Sequence, residues 1–180
     1  TGGNKRSMSV TENITRLKAS LPANVKLVAI SKFHPAEALL KAYNTGQRVF
    51  GESRAQELTA KQKVLPSDIE WHFIGPLQSN KVKDIAPFIH TIHSIDSLKL
   101  LQEVNKQAAK HDRIIRVLLE IHVAQEEAKH GFSPDECRRL LHGLPPDALP
   151  NIRICGPMGM ATNTDDTTQI QDEFHQIHEL

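Results

Sequence analysis

Six short runs rich in apolar and β-branched residues recur along the chain, each trailed by a segment with helical spacing, and this one-to-one alternation limits the fold more than any other feature. The runs are Val25 to Ser31, Arg48 to Glu52, Ile69 to Ile74, Thr91 to Ile95, Ile114 to Val123 and Ile152 to Met158. Ahead of them, Ser9 and Glu12 have capping-box spacing, and Val10, Ile14, Leu17 and Leu21 form a helical stripe that ends at Pro22. Pro35 suits a first helical position, with Leu39, Leu40 and Tyr43 on one face and Gly46 as the stop. Ser97 to Lys110 and the segment opened by Ser133, Pro134 and Glu136 read the same way, and Ile170, Phe174 and Ile177 stripe the last segment. Strand and helix in strict alternation imply a parallel sheet covered by helices, either an open doubly wound sheet or a closed eight-stranded barrel. A doubly wound nucleotide binder usually carries a glycine-rich turn after its first strand. Here that turn reads SKFHP, which favours the barrel.

Charge and composition narrow the partners. At 180 residues, with 39% hydrophobic and 24% charged content, the chain fits one globular domain with a sizeable core. The formal net charge is +1 and basic residues are dispersed, so neither nucleic acid nor an anionic membrane is expected as a partner. Cys137 and Cys155 form no CxxC pair, which argues against a disulfide framework or a zinc site and for a reducing compartment. No apolar run approaches the roughly 18 residues of a membrane span, and TGGNKRS lacks a signal peptide's apolar region. Cytoplasm is the expected location. His90 with His93, and His175 with His178, suggest metal ligands only weakly, because HExxH is absent and no third ligand is evident in the sequence.

In a barrel the chemistry gathers where strands end and the following loops begin. Those positions are Lys32, Ser53, His72 and Gly75, Ser94 and Asp96, His122, and Met158 with Met160. A lysine without a carboxylate cluster favours carbonyl chemistry over hydrolysis, since an amine forms a Schiff base with an aldehyde. The plain alternative for Lys32 is a strand-end lysine reaching solvent. Val28, Ala29 and Ile30 before it suggest a strand buried on both faces, which would partly desolvate the amine and favour its unprotonated form.

AISK at 29 to 32, FGESRAQE at 50 to 57, EWHFIGPLQSNK at 70 to 81, IHSIDS at 92 to 97 and AKHGF at 128 to 132 resemble the pyridoxal phosphate homeostasis protein family. The resemblance is collinear from about Val25 to about Met160, and WHFIGPLQSNK is its most specific motif. It implies an α/β fold, a (β/α)8 TIM-type barrel of the alanine racemase N-terminal domain type, with about six βα units in this chain. It implies pyridoxal 5′-phosphate (PLP) as cofactor, held as a Schiff base on Lys32, and a role in intracellular vitamin B6 homeostasis without conventional catalysis. Ser53, His72, Gly75 and Met158 are carried over as cofactor-binding positions, with no catalytic residue and no metal. Ser53 stands where the family usually has asparagine, Phe33 and His34 replace a threonine-containing turn, and His122 stands where asparagine is frequent. The other reading of Ser53 is a helix N-cap.

Residues 1–8 are expected to be a disordered or cloning-derived leader, and 9–180 an incomplete PLP-binding barrel. The resemblance implies two further units beyond Leu180, with a phosphate cup of serine, glycine and arginine, so the chain reads as a fragment of a longer product. Open barrel edges would then promote self-association, and loss of the cup would weaken PLP binding. Two other functions stay open. One is a PLP-dependent amino-acid racemase, for which a second base, commonly tyrosine, is needed and only Tyr43 exists. The other is a truncated, cofactor-free interaction module.

Overall fold

The structure, a computed structural model, describes residues 15–16, 19, 27–122, 131–145 and 147–159. Six strands form one parallel sheet: β1 (Ala29–Ile30), β2 (Val49–Glu52), β3 (Glu70–Phe73), β4 (Thr91–Ile95), β5 (Ile115–Ile121) and β6 (Ile152–Gly159). Their order in the sheet is their order in the chain. A doubly wound sheet reverses its order at a switch point, with helices on both faces. Sequential order throughout is the arrangement of a sheet that curls into a barrel, and it settles the choice that the alternation left open.

The helices are α1 (Ala36–Asn44), α2 (Ala55–Val64), α3 (Val82–Ile85), α4 (Leu98–Lys110) and α5 (Pro134–Gly143). Ser97 caps α4 by accepting the Leu100 N–H, and Ser133 caps α5 by accepting the Glu136 N–H, with Pro134 in the first turn. Gly46, at φ +100°, ends the turn after α1 in a conformation that side chains rarely adopt. The expected helix after β3 is short: a 3-10 turn over Ser79–Lys81 leads into the single turn of α3, in a segment bracketed by Pro76 and Pro87. Residues 15, 16 and 19 are helical, as the first stripe predicts, whereas the final stripe and residues 128–130 lie outside the described residues.

Burial separates the two faces of the sheet. In β5, Ile115, Val117, Leu119 and Ile121 are buried, while Arg116, Leu118 and Glu120 alternate with them and are exposed or half-buried. The buried set packs with Phe50, Trp71, Phe73 and Ile92 of neighbouring strands and with Leu39, Leu58, Leu101 and Val104 of the helices. On the opposite face the register runs Ile30, Gly51, His72, Thr91, Arg116 and Arg153 in one row across all six strands. Within the described residues β1 is shorter than the apolar run from Val25 predicts, and it pairs with β2. Residues 25 and 26 fall outside the described set.

Candidate functional site at the strand ends

Lys32 follows β1 in a tight turn closed by the His34 N–H donating to the Ser31 carbonyl at 3.1 Å. Phe33, the third residue of that turn, has φ +65°, a position usually given to glycine. The left-handed backbone costs about 1–2 kcal/mol for a side chain of this kind. Two contacts hold it. The Phe33 N–H donates to Glu57 Oε1 at 2.8 Å, and the ring lies 5.2 Å from the Arg54 guanidinium carbon. Lys32 itself is exposed, with its Nζ 6.0 Å from the Phe33 ring centre. The desolvation expected from the apolar strand is therefore not found: β1 pairs on one side only, and the turn carries the side chain outward.

A buried ion-pair network on the helix-facing side braces this turn. Lys61 Nζ donates to Glu52 Oε1 at 2.6 Å, to Glu57 Oε1 at 2.8 Å and to the Ser31 carbonyl at 2.7 Å. Ser31 Oγ donates to the same Glu52 oxygen at 2.7 Å. Glu52 is fully buried and Lys61 is 7% exposed, so each charge depends on the other for compensation. The hydrogen bond from Lys61 holds the Glu57 carboxyl below its ordinary range, and the Phe33 N–H adds to the effect. Ser31 and Phe33, on either side of Lys32, are thus both tied to one charged cluster.

Ser53 and Gly75 are brought together. A Cβ on Gly75 would stand 2.7 Å from the Ser53 carbonyl oxygen and 2.7 Å from its Cβ, so the absent side chain lets the loop after β2 cross the end of β3. Ser94 Oγ donates to the Gly75 carbonyl from β4. Ser53 is not the N-cap of α2, a position taken by Arg54 without a side-chain cap bond. It lines an open cleft of 550 Å³ together with Gln56, Glu57, Phe73, Leu77 and Lys81, the last residue of the WHFIGPLQSNK motif. Met158 pairs in register with Glu120 on the open face and is half-buried.

His72 shares that open face, and its ring is engaged in both directions along it, toward Glu70 at the start of β3 and toward His93, two residues beyond its register partner Thr91. Nε2 lies 2.8 Å from Glu70 Oε2, and Nδ1 lies 2.8 Å from His93 Nε2. Burial pushes the His72 pKa down to about 4, outweighing the Glu70 carboxylate, and burial lowers His93 as well. A neutral His72 donates from Nε2 to Glu70 and accepts at Nδ1 from His93. Thus Lys32, Ser53, Gly75 and Met158 lie toward the strand ends, while His72, the third of four residues in β3 and level with Ile30 of β1, is bonded to Glu70 and His93.

The comparisons with known proteins agree with this architecture. Residues 7–180 match the family model described as alanine racemase, N-terminal domain. A pyridoxal phosphate homeostasis protein from Pasteurella multocida is 32% identical over 188 residues, covering 96% of this chain and 79% of the relative. The chain belongs to the pyridoxal phosphate homeostasis protein family. Its relative in Schizosaccharomyces pombe is 43% identical over 119 residues, 65% of this chain and 50% of that protein. Among solved structures, PipY of Synechococcus elongatus PCC7942 with PLP bound superposes with a TM-score of 0.79 at 34% identity, over 92% of this chain and 82% of PipY. The fold is accordingly the alanine-racemase-like TIM barrel of this family, with six of its parallel strands described here.

Three site residues were not singled out from the sequence: Glu52, Glu57 and Lys61. Glu57 and Lys61 stand four apart on α2, a spacing that suggests a pair. Glu52 was visible as a carboxylate ending an apolar strand, but nothing local connects it to a lysine on the next helix.

Proposed function

We propose that this protein binds PLP through a Schiff base on Lys32 and serves intracellular PLP homeostasis as a carrier, without a catalytic cycle of its own. The observation that carries the reading is the placing of Lys32: an exposed amine at the end of the first barrel strand, in a turn tied through Ser31 and Phe33 to a buried ion-pair cluster. The donor chemistry fits, since a primary amine is what an aldehyde cofactor needs. PLP supplies that aldehyde and a phosphate. Ser53, Gly75 and Met158 are the residues of this chain proposed to border the cofactor. Family membership and the PLP-bound structure of PipY support the assignment. Among the described residues no helix is long and apolar enough to cross a membrane, and a cytoplasmic location is part of the proposal.

The racemase reading requires a second proton-transfer group opposite the lysine. Tyr43 is the one tyrosine in the sequence, and its hydroxyl donates to Asp68 Oδ1 at 2.6 Å while its ring stacks 3.7 Å from the Arg48 guanidinium carbon. That bond to Asp68 raises the phenol's pKa, so less of it is ionised and ready to take a proton near neutral pH. These contacts favour the carrier.

The test is PLP titration followed by borohydride reduction and peptide mapping, beside a Lys32→Ala control and an alanine racemization assay. A pyridoxyl group confined to Lys32, with no racemization, is the expected result. Labelling spread over surface lysines, and unchanged in Lys32→Ala, would overturn the proposed attachment. Turnover that needs Lys32 would replace the carrier with an enzyme.

A further inference from the structure

The group at the strand starts has the organisation of a metal site. Glu70 opens β3 and His72 stands two residues later on the same face, while His90 immediately precedes β4. One ligand atom from each of the three lies within 4.8 Å of the other two. His72 Nε2 is 2.8 Å from Glu70 Oε2, and His90 Nε2 is 3.1 Å from Glu70 Oε1. Both imidazoles therefore direct the same nitrogen at one carboxylate. Their other nitrogens are anchored from behind: His72 Nδ1 lies 2.8 Å from His93 Nε2, and His90 Nδ1 lies 2.6 Å from Thr91 Oγ1.

We propose that Glu70, His72 and His90 bind one divalent transition-metal ion of the zinc class, which clips the start of β3 to the start of β4. Two imidazoles and a carboxylate form a donor set suited to borderline cations such as Zn2+, with a water completing the shell. Metal–ligand bonds of about 2.0–2.2 Å put ligand atoms of a tetrahedral site about 3.3–3.5 Å apart, so the two carboxylate–imidazole separations are already near that value. A ligating histidine characteristically donates its remaining N–H to a fixed acceptor. Thr91 Oγ1 stands where such an acceptor belongs, and His93 Nε2, which donates to His72 Nδ1 without the metal, becomes the acceptor once the His93 proton moves to its own Nδ1. The ion would take the place of the proton now between His72 Nε2 and Glu70, the imidazole regaining a proton at Nδ1 through solvent, and of the Arg116 N–H donated to His90 Nε2.

Two features set what must move. The rings of His72 and His90 are nearly parallel, at 8° with centroids 5.5 Å apart, so convergence on one ion requires His90 to turn about its Cβ–Cγ bond. Its side chain is 30% exposed, against 6% for His72, and it is the ligand with room to turn. Arg116 NH1 also lies 3.2 Å from His90 Nε2, and its charge opposes a cation. Arg116 is exposed and can swing into solvent.

The site differs from the histidine pairs visible in the sequence. His90 and His93 are neighbours there, but His93 acts behind His72, and the second imidazole and the carboxylate come from the preceding strand. Its ligands stand two or more residues of strand below Lys32, and none of them is proposed to border PLP, so the site does not depend on PLP binding.

The test uses the chain stripped of metal with a chelator and titrated calorimetrically with ZnCl2, with Co2+ as a visible-absorption probe. One equivalent of Zn2+ with sub-micromolar affinity is expected, along with a Co2+ spectrum of four- or five-coordinate type. Glu70→Gln and His90→Gln, at partly exposed positions, should each weaken Zn2+ at least about 30-fold while far-UV circular dichroism is retained. His93→Gln should weaken it by about 10–100-fold as the support of a ligand. Arg116→Gln should tighten it. Zn2+ binding no tighter than that of the Glu70→Gln/His90→Gln double variant would overturn the site, because exposed histidines such as His111 and His142 would then account for the uptake. If either single variant unfolds, X-ray absorption of the Zn2+-loaded native chain decides: a shell with two imidazoles and a carboxylate supports the proposal, and sulfur or a single imidazole refutes it.

Discussion

The two ends of the same strands carry polar groups that are supported in opposite ways. At the strand ends Lys32 is exposed, and its geometry depends on a cluster on the other side of the sheet, where Lys61, Glu52 and Ser31 are buried against α2. On the open face, beginning from Glu70 and His90 at the strand starts, Glu70, His72, His90 and His93 support one another directly. Position explains the difference. On the proposed function Lys32 reacts with an incoming aldehyde and keeps its own contacts few, so the turn that bears it is fixed from behind. Groups proposed to meet only a metal ion can satisfy one another in its absence. The strand ends should therefore be sensitive to substitutions well removed from the reacting amine, and the strand starts mainly to pH.

The sharpest way to break this contrast is Lys61→Met. Removing the ammonium leaves the Glu52 carboxylate buried without its counter-charge and releases the Ser31 carbonyl and Glu57 from the same partner. Loss of one partner from a buried pair costs about 3–5 kcal/mol, which chemical denaturation would register. PLP attachment to Lys32 should slow as well, measured as the rate of adduct formation under native conditions. A variant as stable as the parent would show that Glu52 takes up a proton without penalty and that the turn needs no brace.

Gly75→Ala comes next. The added methyl would meet the Ser53 backbone at 2.7 Å, and backbone cannot step aside as a flexible side chain does. Overpacking of this kind costs about 1–3 kcal/mol. Because the displaced element is the loop after β2, PLP affinity should fall more than stability does, as read by comparing absorbance titration with thermal melting. Equal losses in both would mean that Gly75 serves packing alone.

What was legible in the sequence divides along the same line. The strands and most helices were readable because β-branched runs and helical stripes are local signals, and Ser97 and Ser133 announce their helices through a side chain that caps a nearby N–H. The short β1 was not, since its pairing depends on the neighbours it has, which no local pattern records. Lys32, Ser53, Gly75 and Met158 were named from strand ends and family motifs, and their joint role remains a proposal. His72 was grouped with them because it lies near the end of an apolar run. Two residues of strand are about 6–7 Å, enough to place its level below that of Lys32, and its ring turns further toward Glu70. The Glu52–Lys61 pair joins a strand to the following helix, and the Glu70–His72–His90 group joins two strands through register. Neither has a period to read.

Acid should act first at His72 and its neighbours on the open face. His72 has a folded pKa of about 4 against an ordinary value of 6.5, so between these values the unfolded chain holds a proton that the folded chain excludes. Stability is consequently full above about pH 6.5, declines as the pH falls toward 4 and levels off below it, apart from the carboxylates. Glu57 adds a later loss, because its lowered pKa gives stability that is present above the ordinary carboxylate range and disappears as pH falls through the folded value. Melting temperatures from pH 8 to pH 4 should show the first decline in the parent and a flatter profile in His72→Gln. An unchanged profile would remove His72 as its source.

The smallest effect is expected from Phe33→Asn, and it separates strain from support at the turn beside Lys32. Asparagine tolerates the left-handed backbone better than phenylalanine, so relief of part of the roughly 1–2 kcal/mol strain should stabilise the fold. Against that gain stands the ring's contact with Arg54, worth about 0.5–1 kcal/mol at an exposed site. The main-chain bond from residue 33 to Glu57 survives the change, since it uses the backbone N–H. The balance should raise stability by less than about 1 kcal/mol, with PLP attachment unchanged. If attachment slows while stability rises, the ring itself guides the Lys32 amine, whose Nζ lies 6.0 Å from its centre. The strand ends would then rely on a direct neighbour, as the strand starts do, and the contrast between the two ends would narrow to a difference in burial.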